Sequence, residues 1–223
     1  MFESKYNKLL TVILVIVVLA IIGLLAYLGF SFFSEKADTD DAAAFVDNYN
    51  FDDNEPEENN PEEPENPDED NPLEQTGEEG GTGGSSSTSK KTYKGYTVNG
   101  TMKIPKIGFS YPVLERVTKS SIETSVAILY GAGLNQVGNT VIIGHNYRNG
   151  QFFSNNKKLT NGDKIYITDY EGNQKTYVIY NKFETTPEDT SFYQRDTNGK
   201  AEITLSTCTD DSSARLIIFA REE

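Results

Sequence analysis

Residues 201–220, AEITLSTCTDDSSARLIIFA, hold the only cysteine of the chain, Cys208, and an arginine, Arg215, seven positions later. Apolar and polar residues alternate up to Cys208, and a second apolar run follows the polar cluster TDDSS. This pattern predicts two antiparallel strands joined by a tight turn. A turn midway between Cys208 and Arg215 would place them opposite each other, so that a thiol and a guanidinium share one cavity.

A thiol at a strand end needs a partner before it can act as a nucleophile. An unperturbed thiol, with a pKa near ~8.5, is mostly protonated at neutral pH and requires a base or a cation. The chain has one histidine, His145, which ends the apolar run VIIGH. Each of these residues alone has an ordinary structural explanation, since free cysteine packs as a small hydrophobe. One Cys, one His and a nearby Arg, all at ends of apolar strands, together favour a catalytic site.

An apolar segment near the N-terminus, residues 9–33, runs for 25 residues without a charge. As a helix it would be about 38 Å long, which is enough to span a bilayer with some tilt. Lys5 and Lys8 precede it and acidic residues follow it, which predicts a single-pass anchor with residues 1–8 in the cytoplasm and the remainder outside the cell. The run exceeds the ~7–15 residues of a signal-peptide core, so we expect a retained anchor, with cleavage near the alanines at 42–44 as the alternative.

The charge of the chain is concentrated in one segment. Residues 34–89 contain 19 Asp/Glu against one Lys and end in a Gly/Ser-rich run, which predicts a disordered linker over 34–91. We expect this linker to be a spacer, and a specific acidic binding function is the alternative. Residues 90–223 carry 17 Lys/Arg against 14 Asp/Glu, so the net charge of −14 belongs to the linker. No basic cluster with interleaved aromatics indicates nucleic-acid binding.

The remainder of the chain, residues 92–223, is predicted to be one all-β-dominated domain. Short β-rich runs separated by Gly/Asn/Asp turns indicate about eight strands, which build a single small closed or nearly closed β-barrel. The predicted strands are 95–98, 100–104, 111–115, 140–145, 164–170, 174–183, 202–207 and 215–220. Two short helices are expected at 120–127, with Ser120 or Ser121 as the N-cap, and at 152–158.

Four segments of this domain match the motifs of a known family. TLSTC at 204–208, followed by Arg215, matches the pattern TLxTC, and GNTVIIGH at 138–145 matches GN-x-V-I-x-GH. IPKI at 104–107 and PED at 187–189 match two weaker motifs. With the anchor and linker before them, these motifs mean that the chain resembles the sortases, the membrane-anchored cysteine transpeptidases of Gram-positive cell surfaces.

The resemblance implies a role for each site residue. Cys208 would be the nucleophile that attacks an LPxTG-like sorting signal near the C-terminus of a secreted protein and forms a thioester. His145 would be the general acid and base, and Arg215 would stabilise the oxyanion or the bound substrate. Thr207 would support the oxyanion site or orient the substrate.

The resemblance also implies the partners of the chain. These are secreted proteins that bear the sorting signal, the membrane through residues 9–33, and an amine acceptor, either a peptidoglycan precursor or a pilin lysine. The connection at 184–200, which in sortases contributes to recognition of the signal, is short and argues against a long helical insert. Glu184, Glu188 and Asp189 could suggest a Ca²⁺ site, but loop carboxylates are commonly solvated, so we expect no metal and no cofactor.

Three other hypotheses fit parts of the pattern. An L,D-transpeptidase needs its His close before its Cys, whereas 63 positions separate His145 from Cys208. A zinc site would lack two ligands. A non-enzymatic anchored β-barrel binding or adhesion module would have a buried, unreactive Cys208 and would tolerate changes at Arg215.

Overall fold

The computed structural model describes residues 2–49 and 90–223, and these residues divide between positions 44 and 45 into two compact units. The elements in chain order are helix α1 (Phe2–Asn48), strands β1 (Thr92–Tyr93), β2 (Tyr96–Ile104) and β3 (Phe109–Leu114), helix α2 (Ser121–Thr124), and strands β4 (Val126–Tyr130), β5 (Gly138–Ile143), β6 (Lys164–Asp169), β7 (Gln174–Thr185), β8 (Ala201–Cys208) and β9 (Arg215–Glu222). Two 3₁₀ helices, Pro105–Ile107 and Phe152–Lys158, complete the set.

Strand pairing closes the sheet into a barrel. The order is β2-β3-β4-β5-β8-β9-β7-β6, and β6 pairs back with β2, so eight strands form a ring while β1 pairs with β2 alone. Within the ring, β3 pairs with β4 and β5 pairs with β8 in parallel, and all other neighbouring strands pair antiparallel. The predicted closed barrel of about eight strands is therefore confirmed. The predicted strands 95–98 and 100–104 are one strand, β2.

Strand β8 is buried on both faces, which the alternating sequence did not predict. Ile203 and Leu205 are buried, and the polar residues that alternate with them, Glu202 and Thr204, are also buried. The polar side chains lie under the connection 184–200, from which Arg195 bonds to the carboxylate of Glu202 (2.8 Å) and to the hydroxyl of Thr204 (2.8 Å). Strand β8 thus has one apolar and one polar face, and both faces are covered by other parts of the domain.

The buried carboxylate of Glu202 is the centre of this contact. It accepts hydrogen bonds from Arg195 (2.8 Å), from Arg221 (2.6 Å) and from the phenol of Tyr180 (2.8 Å). Burial disfavours the charged form, but the three donors outweigh it and hold the pKa of the Glu202 carboxyl below its usual range. An ionised carboxylate therefore fastens the connection to the barrel.

The predicted helix at 120–127 is wrong in its extent. Helix α2 covers Ser121–Thr124 alone, and the apolar run that follows is strand β4, parallel to β3 and antiparallel to β5. Sheet pairing overrides the helical pattern because β4 completes the barrel. The start of α2 is fixed by Thr118 and Ser121, which exchange side chain to backbone bonds of 3.0 and 2.7 Å, and Ser120 makes no capping bond.

Helix α1 is longer than the predicted anchor. The span Leu10–Asn48 is long and apolar enough, by length and composition, to cross a membrane. The helix continues through residues 34–48, where the linker was predicted to begin, because this stretch contains no Gly or Pro and several alanines. The remaining linker, residues 50–89, lies outside the described residues.

The seam that closes the barrel gives the first prediction. Gly100 on β2 lies opposite Asp169 on β6, and a Cβ at Gly100 would be 2.2 Å from the carbonyl oxygen of Thr168. Gly100→Ala must therefore separate the two strands, and we expect it to lower the free energy of unfolding by about 1–3 kcal/mol in urea titrations of the purified chain. Thr97→Ala, at an exposed position of the same strand, should leave it nearly unchanged. Equal stability of both variants would contradict the tight seam.

Candidate active site

The predicted pairing of cysteine and arginine across the hairpin is confirmed. Cys208 is the last residue of β8 and lies in register with Arg215, the first residue of β9. Arg215 Nη1 lies 3.2 Å from Cys208 Sγ, and the thiol is free and half-buried. The backbone register, set by alternating apolar residues, therefore holds the Arg215 guanidinium against the Cys208 sulfur, whose residue remains partly exposed.

The parallel pairing of β5 and β8 brings His145 to the same end of the barrel. The register ends at Ile143 and Ser206, and the chain beyond it stays tied to β8. Gly144 N donates to Ser206 O (3.3 Å), and the Thr207 hydroxyl donates to Gly144 O (2.7 Å).

Past the histidine, Asn146 Nδ2 donates to the carbonyl oxygen of Cys208 (3.0 Å). His145 is therefore held between two residues that are each bonded to β8. The structure thus brings His145, Cys208 and Arg215 together at one end of the barrel.

The imidazole of His145 lies against α2 and the loop after β5. His145 Nε2 lies 3.3 Å from Glu123 Oε1, and the ring stacks on Tyr147 with centroids 4.9 Å apart. The Tyr147 phenol donates to the other oxygen of the same carboxylate. Burial, this bond and the charge of Glu123 raise the pKa of Tyr147 to about 12, so the phenol remains a donor. Among the described residues, no hydrogen bond joins the imidazole to the thiol of Cys208.

A cleft of about 500 Å³ opens beside the sulfur. Thr207 and Cys208 are among the residues that line it, whereas His145 and Arg215 are not. The other lining residues come from the 3₁₀ helix Phe152–Lys158, from loops and from β7 and β9: Asn146, Phe153, Lys157, Lys182, Glu184, Thr209, Asp210, Asp211, Ser213 and Leu216. Hydrogen bonds from Lys157 (2.6 Å) and Asn146 (3.0 Å) hold the pKa of Asp210 below its usual range, so this wall carries charge of both signs.

Thr207 has a contact that its predicted role did not include. It lines the cleft, but the single proton of its hydroxyl is donated to the carbonyl oxygen of Gly144. A hydroxyl with its proton engaged offers only lone pairs to a ligand. The predicted support of the oxyanion site by Thr207 stays a prediction, and the observed contact is a tie between the two strand ends.

An aromatic patch lies on the outer side of the same strands. Phe192 packs with Val141 and Ile217, and further partly buried side chains pack against this cluster: Tyr130, Ile143, Phe183, Tyr193 and Phe219. Burial raises the pKa of the Tyr193 phenol, and the positive charge of Arg215 opposes this shift. The connection 184–200, predicted to lack a long helix, contains no helix, and it lays these aromatic rings next to the candidate site.

Within residues 2–49 and 90–223, no group of three or more His, Cys, Asp or Glu side chains is arranged to hold a metal ion. Of the three carboxylates considered for Ca²⁺, Asp189 is engaged by the Thr185 hydroxyl (2.6 Å) and Ser191 N (2.9 Å). The expectation that the chain uses no cofactor stays a prediction.

Sequence reasoning missed three residues of the site. Glu123, Tyr147 and Asn146 all contact the histidine or its loop, but none belongs to a motif that carries chemistry by itself. The one local signal for Glu123 was the pair of Thr118 and Ser121, whose spacing is that of a reciprocal helix cap. That signal locates a helix start and gives no indication that the helix reaches His145.

Comparison with known proteins agrees with this arrangement. The Sortase domain family profile matches residues 102–223. Sortase A of Bacillus anthracis is 33% identical over 124 residues, which are 54% of this chain and 58% of that protein. The matched region therefore spans less than two thirds of that relative.

Solved structures with the same fold include Sortase A from Corynebacterium diphtheriae, which is 30% identical with a TM-score of 0.52 and is matched over 57% of this chain and 61% of its own. A Sortase D5 transpeptidase from Clostridium perfringens is 29% identical with a TM-score of 0.52, matched over 57% of this chain and 79% of its own. The matched profile covers more than half of the chain and includes β5, β8 and β9, the three strands whose ends form the site. The chain belongs to the sortase family.

Proposed function

We propose that the chain is a membrane-anchored cysteine transpeptidase that cleaves an LPxTG-like sorting signal of secreted proteins and transfers the acyl group to a cell-wall amine. The observation that carries this proposal is the 3.2 Å contact between Arg215 Nη1 and Cys208 Sγ, a sulfur atom whose residue lines a cleft. A buried structural cysteine would have apolar neighbours and no need of a guanidinium. Membership of the sortase family supports the same activity.

In the first step, the Cys208 thiolate attacks the carbonyl carbon between the threonine and the next residue of the sorting signal. An S–C bond forms and the C–N bond breaks, which leaves a thioester on Cys208. The departing amine takes a proton from the imidazolium of His145. Because no hydrogen bond joins imidazole and thiol, we assign His145 to the leaving group and the incoming amine and not to a direct bond with sulfur.

In the second step, an acceptor amine attacks the thioester carbonyl and gives one proton to the neutral imidazole of His145. A C–N bond forms, the C–S bond breaks, and the thiolate is regenerated together with the imidazolium. Protons and charge therefore balance over one cycle. An amine of a peptidoglycan precursor or a pilin lysine fits this step equally, since each supplies a primary amine.

Arg215 is the proposed stabiliser of charge in both steps. A guanidinium beside the sulfur also lies near the oxygen of any carbonyl that the sulfur attacks, and it cannot lose its proton at neutral pH. As the tetrahedral intermediate forms, negative charge moves from sulfur to that oxygen, and a fixed cation is worth more there than in the ground state. The adjoining aromatic patch is the proposed contact for apolar residues of the signal.

The N-terminal helix supplies the proposed localisation. Its apolar span would cross the cell membrane once, with the two lysines before it on the cytoplasmic side and the barrel outside. Secreted substrates and lipid-linked cell-wall precursors meet at that outer face. The acidic segment between helix and barrel would act as the spacer, and we propose that no metal or cofactor takes part.

The test uses the full chain in detergent micelles with a panel of fluorogenic LPxTG-like peptides and an amine acceptor. We expect cleavage of at least one peptide and an acyl adduct on Cys208 by mass spectrometry. Cys208→Ala and His145→Ala should abolish turnover, and Arg215→Ala should lower kcat by about 10²–10³-fold because it removes an oxyanion donor.

Arg116→Ala removes an exposed guanidinium and serves as the matched control. It should leave kcat unchanged. If no peptide is cleaved and the folded chain also resists alkylation at Cys208, the non-enzymatic binding module replaces the proposal.

A further prediction separates two roles of Thr207. Thr207→Val removes the bond to Gly144 O and leaves that carbonyl unpaired, so we expect a loss of about 1–3 kcal/mol in unfolding free energy together with a lower kcat. Thr207→Ser keeps a hydroxyl and should retain both the unfolding free energy and the kcat of the wild type. A raised KM at unchanged stability in Thr207→Val would instead assign the hydroxyl to substrate binding. Thermal melts and peptide kinetics on the same preparations decide between these results.

A further inference from the structure

We propose that Glu123 is a positioning residue for His145: its carboxylate holds the Nε2 edge of the imidazole, so that Nδ1 is the nitrogen that exchanges protons with substrate. The inference rests on the proposed function for its catalytic consequence. Its structural part concerns only the ring and the carboxylate.

The two ring nitrogens of His145 have different surroundings. Nε2 is closed off from solvent and has no aligned hydrogen-bond partner, and a carboxylate oxygen, Glu123 Oε1, lies 3.3 Å from it. Nδ1 makes no hydrogen bond within the described part of the chain and is not among the buried unpaired atoms. Nε2 is therefore the nitrogen on the side of the carboxylate, at ion-pair distance although not aligned as a hydrogen bond, whereas Nδ1 is not buried.

The Glu123 carboxylate is itself held in place. Its second oxygen accepts the proton of the Tyr147 phenol, and the Tyr147 ring stacks on the imidazole at 22° between planes. The Glu123 carboxylate thus contacts both the edge of the His145 imidazole and the hydroxyl of Tyr147, whose ring covers one face of that imidazole. Rotation of the imidazole would break the stacking and the Nε2 contact together.

The backbone of Glu123 is fixed by the short helix that carries it. The reciprocal bonds of Thr118 and Ser121 fix the helix start, and the Ser125 hydroxyl bonds to Pro112 O (2.6 Å) just after its end. Strand β4 follows directly and pairs with β5 through Ala127 and Ile143, two residues before the histidine. Glu123 and His145 are therefore linked through one strand pair, although 22 positions separate them in sequence.

A carboxylate that orients a catalytic imidazole acts on the tautomer and on the direction of the ring. With its proton on Nε2, the neutral ring presents the basic lone pair on Nδ1, the nitrogen that an incoming amine can reach. The Glu123 side chain is 57% exposed, so the ion pair adds little to the stability of the fold. Loss of the Glu123 carboxylate should therefore lower turnover without affecting folding.

The experiment measures kcat, KM and thermal stability of the full chain in micelles for Glu123→Gln, Glu123→Asp and Tyr147→Phe. We expect Glu123→Gln to lower kcat by roughly 10-fold, with KM and melting temperature unchanged, because substrate contacts and packing remain. Glu123→Asp keeps the charge and should recover part of the loss. Tyr147→Phe should have a smaller effect of the same kind. Glu171→Gln removes a carboxylate in the exposed β6–β7 turn and should match the wild type.

The second measurement needs no substrate. Because the chain has a single histidine, side-chain ¹⁵N NMR shows directly which ring nitrogen carries the proton in the neutral state. We expect one tautomer protonated at Nε2 in the wild type, and a mixture in Glu123→Gln, since an amide can accept from or donate to the ring.

Unchanged kcat in Glu123→Gln, or a wild-type ring protonated at Nδ1, would overturn the inference. If the wild type cleaves no peptide, the proposed function fails by itself, and the NMR measurement still decides whether Glu123 holds the ring.

Discussion

The parallel pairing of β5 with β8 is the constraint on which the candidate site depends. It matches residues 138–143 with residues 201–206, so both strands end at the same rim of the barrel. His145 lies two residues beyond one strand and Cys208 ends the other. Parallel neighbours cannot be joined by a hairpin, and the intervening chain here contributes the 3₁₀ helix Phe152–Lys158 and the strands β6 and β7. The site therefore forms only when most of the barrel has formed.

Burial of β8 on both faces explains how a short connection can shape the site. The inward face packs into the barrel as any apolar strand face would. The outward face presents Glu202, and an ionised carboxylate in that position is tolerated because two guanidinium groups and a phenol surround it. Arg195 belongs to the connection 184–200 and also donates to the carbonyl oxygen of Phe192 (3.1 Å), so the guanidinium that neutralises Glu202 also ties the aromatic part of the connection to the barrel.

The sequence was most informative where the determining contacts are local. Cys208 and Arg215 are seven residues apart, and period-two alternation plus a polar turn was enough to place them opposite each other. That His145 lies near Cys208 could be predicted only from the resemblance to a family. Local periodicity does not show which distant strands pair in parallel. The first two residues of β4, Val126 and Ala127, were predicted as the end of a helix because a short apolar run fits either pattern, and pairing with β3 and β5 makes them part of a strand. Glu123 was not predicted as a site residue for the same reason: its proximity to His145 depends on the pairing of β4 with β5.

The candidate site is divided between two structural halves. The sulfur and the guanidinium belong to one hairpin, β8–β9, whereas the His145 imidazole lies just after β5 and the Glu123 carboxylate lies before β4. Beyond the last paired residues, the halves are joined by the bonds of Gly144, Thr207 and Asn146. Local openings of a protein cost far less free energy than global unfolding. A fluctuation confined to this rim would move Cys208 away from His145 while the remaining ladders kept their amides protected from hydrogen exchange, so the barrel can stay folded while the candidate site is disassembled.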